Sequence, residues 1–184
     1  RLMAVRQTVG KDMHIMVDAN TSFTLAEAVK RAKAFEPIDL FWLEEPLPAD
    51  DVIGHASLAR STSIPIAVGE TIYSAMQFQQ YMHQNAVGIV QVDVARVGGI
   101  TPWLKVAHMA ESFNLKVCPH FLMEIHVSLA AAIPNGLYVE HIPQLRGVAK
   151  SEIKIENGMA LAPTKSGLGI DWDFDAIDKL RVKI

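Results

Sequence analysis

Short apolar runs alternate along the chain with longer segments whose apolar residues recur at helical spacing. The runs HIMV (14–17), LFWL (40–43), PIAV (65–68), GIVQV (88–92), LKVC (115–118) and GLYV (136–139) are too short for helices, and they predict six strands. Between them, Leu25, Ala28, Val29, Ala32 and Phe35 fall on one face at a 3.6-residue period, and Trp103, Val106, Ala107, Ala110 and Phe113 do the same. The second of these helices is predicted to open at Thr101 and Pro102, a cap followed by proline in the first turn. The opening RLMAVRQTVG predicts the end of a helix. Strand then helix, repeated, requires crossover connections and therefore a parallel sheet. Two closures share that rhythm: a barrel, which needs eight strands, and an open doubly wound sheet. After about residue 145 the rhythm stops. There SEIKI and MALA flank Asn157 and Gly158, a strong hairpin signal, so residues 146–184 are expected to form a separate small lobe.

Half of the 184 residues are apolar and a fifth are charged, which is enough for one sizeable core and excludes a disordered chain. A formal charge of -3 argues against nucleic acid or an anionic membrane as partner and points to a small molecule. No apolar run approaches the roughly 18 residues of a membrane span. The N-terminus is polar where a signal peptide would have its apolar region, so a cytoplasmic location is expected. The single cysteine, Cys118, cannot form an internal disulfide, in keeping with a reducing compartment.

Each strand run is followed by an acid or a histidine: Asp18, Glu44, Glu70, Asp93, His120 and Glu140. With only 20 Asp and Glu and seven His in 184 residues, six such ends exceed background. In a parallel barrel these ends share one rim, the face that carries chemistry. Asp18, Glu44 and Glu70 are separated by 26 residues each, so they occupy the same place in three successive units. Strands lie about 4.8 Å apart, which lets the outer two carboxylates converge above the middle one. Such a cluster needs positive charge. Oxygen donors with no paired His or Cys favour a hard divalent ion, Mg²⁺ with Mn²⁺ as substitute, and substrate and water would complete its coordination. Taken singly, Asp18 also suits a turn cap with Thr21 or Ser22, and Glu44 a solvated loop acid; the even spacing favours the shared site.

Strand alternation turns Glu45 away from Glu44, as a structural neighbour of the site. On adjacent strands, Asp93 would accept a hydrogen bond from one ring nitrogen of His120 and leave the other facing the pocket, an acid/base pair. Asn20 is a candidate ligand for a substrate hydroxyl. Cys118, inside a strand run, is expected to be core rather than a thiol nucleophile. Gly98 and Gly99 after Arg96, and Gly167 with Gly169, lack the spacing of a phosphate loop and predict turns. His126 and His141 lie outside the rim pattern and are expected to be structural, and the His-x-His and HExxH signatures of zinc hydrolases are absent.

Taken in order, VDAN (17–20), WLEEPL (42–47), VGE (68–70), QVDVARVGGIT (91–101), CPHF (118–121) and YVEH (138–141) resemble the C-terminal part of an enolase-superfamily enzyme of the mandelate racemase/muconate lactonizing enzyme type. The resemblance implies an α/β fold. The chain would supply the last six β/α units of a (β/α)7β TIM-like barrel, without the first two strands or the N-terminal capping domain. Residues 1–145 would then be a partial barrel catalytic domain, and 146–184 a hairpin-bearing tail packed toward the capping domain. The resemblance also implies one Mg²⁺ on Asp18, Glu44 and Glu70, a dyad of Asp93 and His120, and Glu140 as a hydrogen-bonding electrophile at the substrate carboxylate. Within the superfamily, EEPLPADDVIGHASLA and PHFLMEIHVSLAAAIP are most similar to acid-sugar dehydratases of the talarate/galactarate kind. The expected activity is a hydro-lyase: removal of the proton α to a carboxylate, giving an enediolate, then loss of a β-hydroxyl. A racemase or epimerase on the same scaffold, or an inert metal-binding fragment, are the alternatives. The family's Lys-x-Lys, its second acid/base, has no counterpart in the chain. A small sugar acid is the expected partner, with no nucleic acid and no membrane, and the full-length enzyme is expected to be a homo-oligomer.

Overall fold

The computed structural model describes residues 1–182. Helix α1 (Leu2–Val9) ends at Gly10, whose φ of 78° suits a residue without a Cβ, and the chain then enters β1 (Ile15–Asp18). There follow α2 (Leu25–Phe35), β2 (Leu40–Glu44), α3 (Val52–Ser61), β3 (Ile66–Val68), α4 (Ala75–His83), β4 (Ile89–Val90), α5 (Ile100–Ser112), β5 (Lys116–Val117) and α6 (Met123–Ala131). Three of these helices start where a polar side chain satisfies a free backbone N–H: Thr24 accepts from Glu27, Asp51 from Gly54 and Ser74 from Gln77. These caps stop each connection from drifting into the helix and so set the length of the loop above each strand end.

The five strands are parallel and stand in the order β1-β2-β3-β4-β5. Every strand lies beside its predecessor, so the sheet winds in one direction, as a barrel does and a doubly wound sheet does not. Successive helices also touch, α2 with α3, α3 with α4 and α4 with α5, which sets them along one face. Between them and the sheet lies the main core, in which Leu43, Ile66, Val68, Val90 and Val117 meet Ala28, Ala32, Phe78, Tyr81, Trp103, Val106, Ala107 and Ala110. The small residues at the predicted helical spacing allow α2 and α5 to approach the sheet closely. The opposite face buries Trp42, Ala67, Ile89 and Cys118.

Three local features differ from expectation. Helix α5 is capped by the backbone of Gly99 (φ 111°), so Thr101 lies inside the first turn rather than at the cap, while Pro102 keeps its first-turn position. The sixth run shrinks to a single bridge between Val117 and Gly136. There the Val117 N–H donates to Asn135 O (2.9 Å) and the Leu137 N–H donates to Val117 O (3.0 Å). The next rung would need an N–H from Pro119, which has none. Finally, β1 and β2 slip register between Ile15 and Met16, a bulge that leaves Phe41 without a partner.

In the tail, β6 (Ile155–Glu156) pairs antiparallel with β7 (Met159–Ala160) across Asn157 (φ 51°) and Gly158 (φ 78°), the two left-handed residues of a type I′ turn, and α7 spans Phe174–Leu180. No helix among the described residues is long and apolar enough to cross a membrane.

Gly69 joins β3 to Glu70 where the chain passes hard against the end of β4. A Cβ there would lie 2.3 Å from the backbone carbon and oxygen of Gln91. Gly69→Ala is therefore expected to destabilise the fold by about 1–3 kcal/mol, read from the denaturant midpoint. Gly147→Ala, where an added Cβ meets nothing within 4 Å, is expected to stay within about 0.5 kcal/mol.

Candidate metal centre and active site

Asp18 and Glu44 are direct partners across β1 and β2, so both side chains rise from the same level. Glu44 in turn pairs with Ala67 on β3, which leaves Glu70 three residues further along, beyond the strand end. Even spacing in sequence is thus not even height, yet one carboxylate oxygen from each of Asp18, Glu44 and Glu70 lies within 4.8 Å of the others.

Each acid is held by its surroundings. Asp18 accepts from the backbone N–H of Asn20 (2.8 Å) and from its Nδ2 (2.6 Å), in a turn where Asn20 (φ 44°) and Thr21 (φ 57°) are left-handed. The turn considered for Asp18 exists, with Asn20 rather than Thr21 or Ser22 as its donor, and Asn20 here orients Asp18. Glu44 Oε2 accepts from Trp42 Nε1 at 3.1 Å. Glu45 is buried, and its Oε1 accepts from Thr71 N (3.1 Å) and Thr71 Oγ1 (2.5 Å), which fastens the loop after Glu44 to the residue after Glu70. Arg96 Nη1 donates to Glu70 O at 2.6 Å and stands 3.7 Å from Glu70 Oε1.

Electrostatics show what this proximity costs. Burial, reinforced by Asp18 and Glu140, pushes Glu44 up to about 7 against the pull of Gln91 and Trp42. Burial also raises Glu70, even though His120 and Arg96 act to lower it. Burial thus favours the protonated form of both Glu44 and Glu70.

Beside the triad, His120 Nδ1 lies 2.8 Å from Asp93 Oδ2, so this nitrogen carries the proton. The other nitrogen, expected to face the pocket, lies 3.2 Å from Glu70 Oε2, and the ring is set between two carboxylates. Asp93 Oδ1 accepts from the N–H groups of Ala95 (2.7 Å) and Arg96 (3.2 Å). Burial would raise Asp93, but its bonds from His120, Ala95 and Arg96 outweigh that and hold it below the usual carboxylate range. For His120, burial favours the neutral ring, but Asp93, Glu70 and Glu140 prevail and its pKa lies above the ordinary value.

Glu140 Oε2 accepts from Phe121 N at 2.7 Å. Together with Asp18, Trp42, Glu44, Gln91 and Tyr138 it borders a cavity of about 390 Å³ on the face of the sheet that carries Trp42 and Cys118. Cys118 lies at the same cavity, but burial pushes its thiol up to about 11, so it stays protonated near neutrality and is a poor nucleophile. His141 reaches the cavity edge, and His126 is fully buried behind the rim.

Two residues of the site escape the strand-end pattern. Arg96 ties Glu70 to the Asp93 loop, and Gln91, 5% exposed, reaches the cavity with an Oε1 that has no partner among the described residues. Both lie close to Asp93 in sequence. Period-two alternation from Asp93 would have put Gln91 on the pocket face, whereas no periodicity marks Arg96.

Comparison with known proteins agrees with this architecture. Residues 1–176 match the family described as Enolase C-terminal domain-like. The chain is 38% identical over 169 residues to an L-talarate/galactarate dehydratase of Salmonella typhimurium, covering 92% of this chain and 42% of that protein. It is 32% identical over 183 residues to a 3,6-anhydro-alpha-L-galactonate cycloisomerase of Streptomyces coelicolor, covering 99% and 51%. A crystal structure of an L-talarate dehydratase from a Polaromonas species, complexed with Mg and L-glucarate, superposes with a TM-score of 0.91 at 41% identity, over 96% of this chain and 49% of that one. The chain therefore spans about half the length of these relatives. The one-directional parallel sheet, the acids along its rim and the match over 1–176 lead to one assignment: the chain belongs to the Enolase C-terminal domain-like family.

Proposed function

We propose that the chain carries the metal-binding and acid/base face of a Mg²⁺-dependent acid-sugar dehydratase, which removes the proton α to a carboxylate and then expels a β-hydroxyl from an aldarate such as galactarate or talarate. The observation that carries this reading is the convergence of three carboxylate oxygens within 4.8 Å, next to a hydrogen-bonded Asp93 and His120. Sugar-acid dehydratases and cycloisomerases among the similar proteins support it. A cavity of about 390 Å³ is also of a size for a small sugar acid.

The donor set suits Mg²⁺: all-oxygen, with two of the three acids raised chiefly by burial and further by their acidic neighbours. When bound on Asp18, Glu44 and Glu70, the ion supplies Lewis-acidic charge to offset the negative charge that develops on a substrate carboxylate. His120 moves a proton through Nε2, either from the α-carbon or to the departing hydroxyl. Asp93 keeps the Nδ1–H tautomer and steadies the imidazolium. Glu140 is the candidate hydrogen-bonding electrophile at the substrate carboxylate, and Asn20 is the candidate for a substrate hydroxyl. The remainder of a (β/α)7β barrel, a second acid/base and the assembly state belong to the whole protein.

The test is turnover of a panel of hexarates and hexonates by the protein at its full natural length. Mg²⁺-dependent keto-acid formation, abolished by chelation, supports the reading, and turnover that survives exhaustive metal removal overturns it. Deuterium wash-in without loss of water would instead assign an epimerase. Asp93→Asn should lower kcat by about 10²–10⁴-fold while Mg²⁺ affinity, measured by calorimetry, stays nearly unchanged. A pH dependence also follows from Glu44. Its folded pKa of about 7 exceeds the 4.5 of the unfolded chain, so without metal the stability present below pH 4.5 is lost as pH rises through about 7. The melting temperature of the metal-free protein should fall across that window, and Glu44→Gln should flatten the fall. Added Mg²⁺ should restore the melting temperature at pH 8, and its binding below about pH 7 should release protons from Glu44.

A further inference from the structure

We propose that His126 is a positioning residue for the acid/base pair, a buried imidazole that fastens the loop carrying Asp93 to the loop carrying His120 and, through the Phe121 peptide, to Glu140. The proposal rests on the acid/base reading given above.

The peptide units on either side of Asp93 are both gripped by fully buried aromatic side chains. Trp103 Nε1 donates to Val92 O at 2.9 Å, and the Val94 N–H donates to His126 Nε2 at 3.0 Å. Trp103 and His126 each have 0% exposure, and their rings stand 6.1 Å apart. Since Nε2 must accept, the proton of the neutral ring sits on Nδ1, and Nδ1 donates to Phe121 O at 2.8 Å. Phe121 directly follows His120, and its own N–H is the donor to Glu140 Oε2 at 2.7 Å. The path thus runs from the Asp93 backbone through one imidazole to the Phe121 carbonyl and, across the Phe121 Cα, from the Phe121 N–H to Glu140.

The backbone along this path needs holding. Phe121 (φ 60°) and Leu122 (φ 28°) are consecutive non-glycine residues in left-handed conformation, an arrangement that persists only when its surroundings impose it. The His126 side chain does so at Phe121 O, beside the ordinary helical bond of its N–H to Leu122 O at 3.0 Å. Burial favours the neutral ring and holds the His126 pKa below its ordinary value, which preserves the one tautomer able to make both side-chain bonds. His126 is fully buried and does not border the cavity, so it acts through Asp93 and His120 and not on substrate.

Two substitutions separate positioning from bulk. His126→Phe keeps a ring beside Trp103 and removes both side-chain bonds. His126→Asn retains an amide N–H for Phe121 O, but its side chain is too short to set an acceptor at the Nε2 position opposite the Val94 N–H. Each is made in the protein at its full natural length and read in two ways: the hydrogen-bonded Nδ1 proton of His120 in the NMR spectrum, and the separation of kcat from KM with Mg²⁺ affinity alongside. The expected result for His126→Phe is loss of the His120 proton signal and a fall in kcat of about 10²-fold, with KM and Mg²⁺ affinity within about twofold. His126→Asn should recover part of both the signal and kcat. An unchanged signal and kcat in a folded His126→Phe would overturn the proposal. So would a joint loss of melting temperature, Mg²⁺ affinity and kcat with no recovery in His126→Asn, which marks a packing role alone. If the unsubstituted protein turns over no sugar acid, the function reading fails, and the NMR signal alone still decides on His126: its loss in His126→Phe supports the link and its persistence refutes it.

Discussion

Like charges at the ends of neighbouring strands repel, and much of what surrounds Asp18, Glu44 and Glu70 answers that repulsion. Two full charges about 5 Å apart at an effective dielectric near 20 oppose each other by about 3 kcal/mol, a large fraction of what holds a domain together. The protein meets this with fixed donors. Asn20 clasps Asp18, Trp42 reaches Glu44, and Arg96 with His120 flanks Glu70. Burial, with a smaller contribution from the neighbouring acids, still raises Glu44 and Glu70. The folded scaffold has already brought together three oxygen donors of the kind that suit a small hard cation.

The scaffold can do this because its polar rim and its core lie at different heights. Leu43, Val68, Val90 and Val117 lock the strands to the helices below, while the acids lie at or just beyond the strand ends. Close passage at Gly69 shows how finely the two levels are joined: one missing side chain lets Glu70 clear the end of β4.

Much of this was legible in the chain. The helix spacing of Ala28, Ala32, Trp103 and Ala110 marked the buried stripes, and Asn157 with Gly158 marked the hairpin, because helical periodicity and turn chemistry are local properties. The strand-end acids were legible for a similar reason, since a charge after an apolar run has few places to go. What the sequence did not reveal depends on contacts across strands. The height of Glu70, the turn of His120 Nε2 toward it, the clasp of Asn20 on Asp18 and the reach of Arg96 all follow from register and loop geometry. His126 looked merely structural because its partners, Val94 and Phe121, are backbone groups that leave no trace in side-chain patterns.

The sixth apolar run stops pairing after one bridge because proline occupies the next donor position. As a result Glu140 is moored through its own side chain to the Phe121 amide rather than through a ladder of backbone bonds. One side of the rim, at Asp18 and Glu44, is thus set by strand pairing, while at Glu140 the reach toward an occupant depends on one side-chain tether that a single substitution can alter.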